Sequence, residues 1–170
     1  MSSPYATEPD DGSTIDPALF RSVLGRFASS VTVVTARDRE RNDHGMTVSA
    51  FCSLSLDPLL VLICVEHNTV LHGVLADATQ FAVNFLSAGQ ESISRRFSEQ
   101  IDDRFEGIGY ERGITGCALL GGILGHLECD IEARYPGGDH TIYVGKVIAA
   151  AAHKGSPLLY YRGGYAQLER

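Results

Sequence analysis

The first hydrophobic periodicity begins just after Asp16-Pro17, an N-cap residue followed by proline at the first helical position. Phe20, Val23, Leu24 and Phe27 then fall at i, i+3, i+4 and i+7, which predicts a helix with one buried stripe, ending near Ser29-Ser30. Val31–Ala36 is β-branched and reads as a strand, and the charged segment Arg37–His44 as a loop. The stretch Gly45–Leu54, GMTVSAFCSL, follows as a second strand, expected to form a hairpin with the first. Asp57-Pro58 breaks it, and Leu59–Val65 is a third strand, apolar throughout and therefore expected to be covered on both faces.

Asn68 is placed to cap a short helix through Ala76, and Gln80–Leu86 reads as a fourth strand. Ser87-Ala-Gly-Gln90 has the form of a capping box and opens a helix through about Phe97. Residues 98–116 are charged and glycine-bearing, a long connection expected to cross the surface. Strict alternation follows. Leu127, Cys129, Ile131 and Ala133 face one way, Glu128, Asp130, Glu132 and Arg134 the other, which predicts a half-exposed antiparallel strand. Pro136–Asp139 is a turn, His140–Ala152 its partner strand, and Leu158–Tyr161 and Tyr165–Leu168 a last pair. Seven or eight mostly antiparallel strands with short helices and no βαβ rhythm make a mainly β fold, a closed or split β-barrel with helices at its ends. Residues 1–15, with Pro4, Pro9, Asp10, Asp11 and Gly12, are expected to be a flexible tail, and 16–170 one domain.

Composition removes several classes of function. A formal charge of −7 is unsuited to nucleic acid. The longest apolar run, Leu59–Val65, is too short to span a membrane, and the N-terminus lacks the apolar segment of a signal peptide. Cys52, Cys64, Cys117 and Cys129 have no paired or metal-like spacing and are expected to be buried free thiols in a reducing cytoplasm. Gly107, Gly109 and Gly113 miss the dinucleotide fingerprint by one residue and follow no strand; Gly145-Lys146 lacks the upstream glycine of a P-loop. Scattered histidines do not suggest a metal site.

Three stretches still call for a reason. In Gly45–Leu54 three hydroxyls, Thr47, Ser49 and Ser53, interleave with apolar residues, as a strand holding a flat, partly polar ligand would require; pairing across to a neighbouring strand is the plainer use for them. Glu66-His67-Asn68-Thr69 lies at a helix N-terminus, which suits a phosphate. Gly137-Gly138-Asp139 is a turn that delivers His140. Tyr160, Tyr161 and Tyr165 also fit a core or dimer interface, and Arg95, Arg96 and Arg104 read as solvated, with Arg95 or Arg96 alternatively able to reach the phosphate of a ligand.

GMTVSAFCSLS (45–55), DPLLVLICV (57–65), FAVNFLS (81–87), GGDHTIYVGKV (137–147) and PLLYYRGGY (157–165), in this order, resemble the flavin reductase-like family, the small NAD(P)H:flavin oxidoreductases that supply two-component monooxygenases. The resemblance covers about Phe20 to Leu168 and implies a split β-barrel homodimer binding FMN or FAD, with NADH favoured over NADPH as co-substrate and a monooxygenase receiving the reduced flavin. By that resemblance Thr47, Val48, Ser49 and Ala50 run beside the isoalloxazine ring, and Ser53 and Leu54 lie near the ribityl chain and phosphate. It also places His67, Asn68 and Thr69 in the phosphate-side loop, His140 beside the nicotinamide as an orienting group, and Tyr165 in the motif closing the pocket. His67 stands where many relatives have arginine, and Thr69-Val70 follows Asn68 where relatives often place serine or threonine. Two rivals share the barrel: a non-catalytic flavin carrier or redox sensor, and a pyridoxamine-phosphate-oxidase-like enzyme, which would need a more basic phosphate site.

Overall fold

The computed structural model describes residues 15–168; the expected tail lies almost wholly outside them. Helix α1 (Pro17–Leu24) starts where expected, with the Asp16 carboxylate accepting from the Ala18 N–H at 3.0 Å. It ends at Leu24, short of Ser29-Ser30, and its apolar stripe is not buried: Phe20, Val23 and Leu24, with Phe27 beyond the helix end, are 54–77% exposed. Seven strands form one antiparallel sheet: β2 (Thr32–Arg37), β3 (Asp43–Val48), β4 (Phe51–Leu56), β5 (Leu59–Glu66), β6 (Gln80–Phe85), β9 (Gly125–Gly137) and β10 (His140–Ala152). The remaining strands, β1 (Ser29–Ser30), β7 (Tyr110–Arg112), β8 (Ala118–Leu120), β11 (Leu159–Tyr161) and β12 (Gly164–Ala166), make two small sheets, β1-β11-β12 and β7-β8.

The order β3-β2-β6-β9-β10-β5-β4 puts two strands consecutive in sequence at opposite edges. The stretch Gly45–Leu54 is therefore not one strand. It turns at Ser49-Ala50, leaving β3 paired with β2 and β4 paired with β5. The Ser49-Ala50 turn carries the chain from one edge of the sheet to the other, and the Cys64 N–H donates to the Ala50 carbonyl at 3.0 Å, extending the β4-β5 ladder to the turn. No ladder joins β3 to β4, so the mainly β fold is a split barrel, open at that seam. Bulges in β9-β10 at Val144/Gly145 and Val147/Ala149 supply curvature. Gly145 is needed there, since a Cβ would lie 2.5 Å from the Phe81 ring.

Val34, Val48, Ile63, Val65, Leu71, Leu75, Phe81 and Tyr143 fill the barrel, with α2 (Val70–Asp77) plugging one end. α3 (Glu91–Ser98) covers a second cluster of Val31, Val33, Leu86, Phe97 and Leu158. The alternation of β5 is visible in its burial: Val61, Ile63 and Val65 are buried, while Leu60, Leu62 and Cys64 on the other face are half-buried, so the strand is not covered on both sides. In β9 the expected outward Glu128 is also buried, 2% exposed. The 113–116 turn covers it, and the N–H groups of Ile114 and Thr115 and the Thr115 hydroxyl all donate to its carboxylate. Within 98–116 the structure thus forms β7 and an anchored turn rather than a mere surface crossing.

Candidate functional site

The seam between β3 and β4 opens into a cavity of about 830 Å³. One wall is the free edge of β3. The Val31 carbonyl accepts from Leu86, so Val31, Val33 and Thr35 turn their backbone groups towards β6. By alternation Thr32, Val34 and Ala36 bond β3 through Val48, Met46 and His44. The N–H and C=O of Gly45 and Thr47 therefore face away from β2, into the seam. The other walls are the Ser49-Ala50 turn, Cys64 and Glu66 of β5, Asn68–Leu71 at the start of α2, and Ser98 with residues 100–105; His140 stands at the rim.

Of the residues singled out from sequence, Thr47, Val48, Ser49, Ala50, Asn68, Thr69 and His140 line this cavity. The Val48 side chain belongs to the barrel core. Ser53 and Leu54 sit exposed on β4 outside the lining. Thr69, not Asn68, caps α2: its hydroxyl accepts from the His72 N–H at 3.2 Å and donates to the Glu66 carbonyl at 2.8 Å. That leaves the Asn68 side chain free of described hydrogen bonds and open to the cavity. His67 does not line the cavity. Its Nε2 is 3.2 Å from the Thr141 hydroxyl, which also meets His72 Nε2 at 3.0 Å, and the two rings lie 4.8 Å apart. Burial, reinforced by the neighbouring His67, holds His72 below the usual histidine range. Tyr165 lies behind the wall, its hydroxyl 2.9 Å from the buried Ser94 hydroxyl and its ring under Arg95.

His140 and Glu66 are register partners on β10 and β5, so the strand pairing brings them to the rim together. Nδ1 of His140 meets the Asp139 carboxylate at 2.6 Å, which leaves Nε2 as its free nitrogen. The hydrogen bond to His140 and its charge hold the Asp139 carboxyl below the usual range.

The sequence reading missed Arg104. It is half-buried in the far wall, donates from Nη1 to the Gly45 carbonyl at 2.7 Å, and has a buried Nε with no partner. No carboxylate pairs with it among the described residues, and burial lowers its pKa. Arg96, also read as solvated, donates to the carbonyls of Asp103 and Arg104, both at 2.9 Å. The Asp103 carboxylate accepts from the Phe105 and Glu106 N–H groups, and Phe105 packs edge-on against Phe97. Gly45 makes room for this, since a Cβ would lie 2.6 Å from the Phe97 ring. The signal for Arg104 was weak: a neighbouring aromatic, Phe105, in a connection rich in charge and glycine.

The sequence and the split-barrel fold both match known proteins. Residues 24–169 match the flavin reductase like domain, and the chain belongs to that family. It is 37% identical over 157 residues to the flavin reductase (NADH) of Kitasatospora aureofaciens, covering 90% of this chain and 82% of that one. It is 36% identical to HsaB of Rhodococcus jostii, the reductase subunit of a flavin-dependent monooxygenase, covering 91% and 80%. Among solved structures, the NADH:FAD oxidoreductase SgcE6 of Streptomyces globisporus, in complex with NAD and FAD fragments, superimposes with a TM-score of 0.86 at 38% identity, covering 92% and 97%. Against another of its relatives the chain spans only about half the length.

Proposed function

We propose that the chain is an NADH-dependent flavin reductase that passes reduced FMN or FAD to a monooxygenase; relatives named flavin reductase (NADH), NADH:FAD oxidoreductase and reductase subunit of a flavin-dependent monooxygenase support this reading. The observation that carries this reading is the unpaired β3 edge, facing a cavity with His140 at its rim. The groups present fit a flavin. Backbone N–H groups of an open strand lie beside small residues, the start of α2 offers free N–H groups, and Arg104 has an unused buried nitrogen. A bound flavin supplies the two-electron acceptor that the side chains lack.

Each residue then has a role. The 47–50 backbone would hold the ring, its free N–H groups able to stabilise negative charge there. Asn68, the N-terminus of α2 and Arg104 take the phosphate. His140, its Nδ1 held by Asp139, offers Nε2 to orient the nicotinamide of NADH over the ring. Direct hydride transfer needs close stacking and no nucleophile or strong base from the chain. We further assign residues 16–170 to one domain and a homodimer to the solution state, the exposed stripe of α1 being its natural interface.

The test is NADH and NADPH oxidation by pure protein, with and without FMN, FAD or riboflavin. Flavin-dependent turnover favouring NADH is the expected result. Flavin binding without turnover with either nucleotide would sink the reductase reading in favour of a carrier.

A further inference from the structure

Two imidazoles outside the cavity converge on one atom. His67 lies in the turn between β5 and α2, and His72 in the first turn of α2. Nε2 of each meets the Thr141 hydroxyl of β10, at 3.2 and 3.0 Å, and the rings lie 4.8 Å apart at 58°. None of the three residues lines the cavity. The histidines are five residues apart, which is no ligand spacing, and Thr141 is 69 residues beyond His72, so the convergence is made by the fold. A threonine hydroxyl has one hydrogen and can donate it to one nitrogen only. For both contacts to be hydrogen bonds, one Nε2 accepts and the other carries a hydrogen. One lone pair is thus already aimed at this point, and the other ring aims its own by moving its hydrogen to Nδ1. Neither Nδ1 has a described hydrogen-bond partner, so no described contact pins the tautomer of either ring.

Neutral imidazole is the commonest protein ligand of transition metals. The surroundings favour a cation. Glu66 precedes His67, and the carbonyl of Asp139 accepts the His67 N–H at 3.0 Å. Neither carboxylate pairs with a lysine or arginine among the described residues; Asp139 meets only His140. The geometry points to a divalent transition-metal site built from His67 and His72, with water completing the shell. Among the described residues no group of three or more His, Cys, Asp or Glu side chains is placed to hold a metal. The site is therefore an exchangeable one with two protein ligands, unlike the closed four-ligand shell of structural zinc. Imidazole suits Zn²⁺, Ni²⁺ and Cu²⁺, whereas Mg²⁺ and Ca²⁺ take oxygen ligands. An ion held there ties the 67–69 turn to α2 and stabilises the folded chain by its binding. It does so whether or not a flavin occupies the cavity.

The experiment titrates Zn²⁺ into the full chain at neutral pH, without flavin or NADH, in competition with a chromophoric chelator, and follows Tm alongside; Mg²⁺ is the control. One Zn²⁺ per chain is expected to bind in the micromolar range and to raise Tm, with no response to Mg²⁺. His67 is exposed and can be replaced without disturbing the core. His67→Ala and His72→Gln should each weaken binding at least about tenfold and remove the rise in Tm. Thr141→Val deletes the hydroxyl that competes for both nitrogens, and should bind Zn²⁺ at least as tightly as the wild type. Binding that survives both histidine variants would place the ion elsewhere, for example on the Cys52 thiol, which is exposed rather than buried, and would overturn the assignment. A folded Thr141→Val chain that no longer binds, or a wild type that takes up no Zn²⁺, would overturn it as well. None of these outcomes touches the flavin reading, which is tested by turnover.

Discussion

At the scale of single residues, position in a strand says less than where each hydrogen goes. Glu128 sits in the outward half of a strictly alternating strand, yet its carboxylate is enclosed by three donors from the 113–116 turn. Truncation to alanine strands two backbone N–H groups, and Glu128→Ala is expected to cost about 3 kcal/mol in urea unfolding. A loss under about 1 kcal/mol would mean the turn is held by something else. His140 is the opposite case, a rim residue whose value is chemical. His140→Ala should raise the apparent KM for NADH on the order of tenfold and leave flavin affinity within about twofold. Loss of flavin binding instead would place the histidine against the ring rather than the nicotinamide.

At the scale of elements, the site depends on how β3 is held, since its inner edge is bonded to β2 and its outer edge must stay open. Asp43, at its start, accepts from Arg112 Nη2 at 2.7 Å and from the Tyr110 hydroxyl at 3.1 Å, which ties the strand to β7. Burial alone would raise the Asp43 carboxyl, but the hydrogen bonds and charge of Arg112 outweigh it and leave it below its ordinary value. A carboxyl lowered on folding contributes stability above its unfolded value, about pH 4, and that contribution is lost as pH falls through the lower folded value. Asp43→Asn should therefore be less stable at neutral pH and show a shallower loss on acidification below about pH 5. An unchanged acid limb would assign the effect to other lowered carboxyls, such as Asp38 beside His44. Most strands and all three helices could be found by periodicity and capping, because those signals are local. β7 and β8 could not, being three residues each and held by pairing with one another.

At the scale of the whole molecule, the exposed stripe of α1 asks for cover. Replacing Phe20 and Val23 with glutamate should shift the chain from dimer to monomer in sedimentation, with the fold retained; a wild-type monomer would remove the dimer from the proposal. What the sequence by itself determined was the set of elements, the antiparallel class and a short list holding most of the cradle: Thr47 to Ala50, Asn68 and His140. Alternation, caps and turn residues are read within a few positions of chain, and an ordered set of motifs needs no coordinates. What only the tertiary structure decided was closure. The cradle stretch bends at Ser49-Ala50 because its halves pair with β2 and β5 at opposite ends of the sheet order, and no local property encodes that order. The same long-range pairing brings Arg104 against Gly45, carries Ser53, Leu54, His67 and Tyr165 out of the cavity lining, and directs the Thr47 hydrogen to Ser94. These are contacts between residues roughly fifty or more positions apart, fixed by packing rather than by pattern.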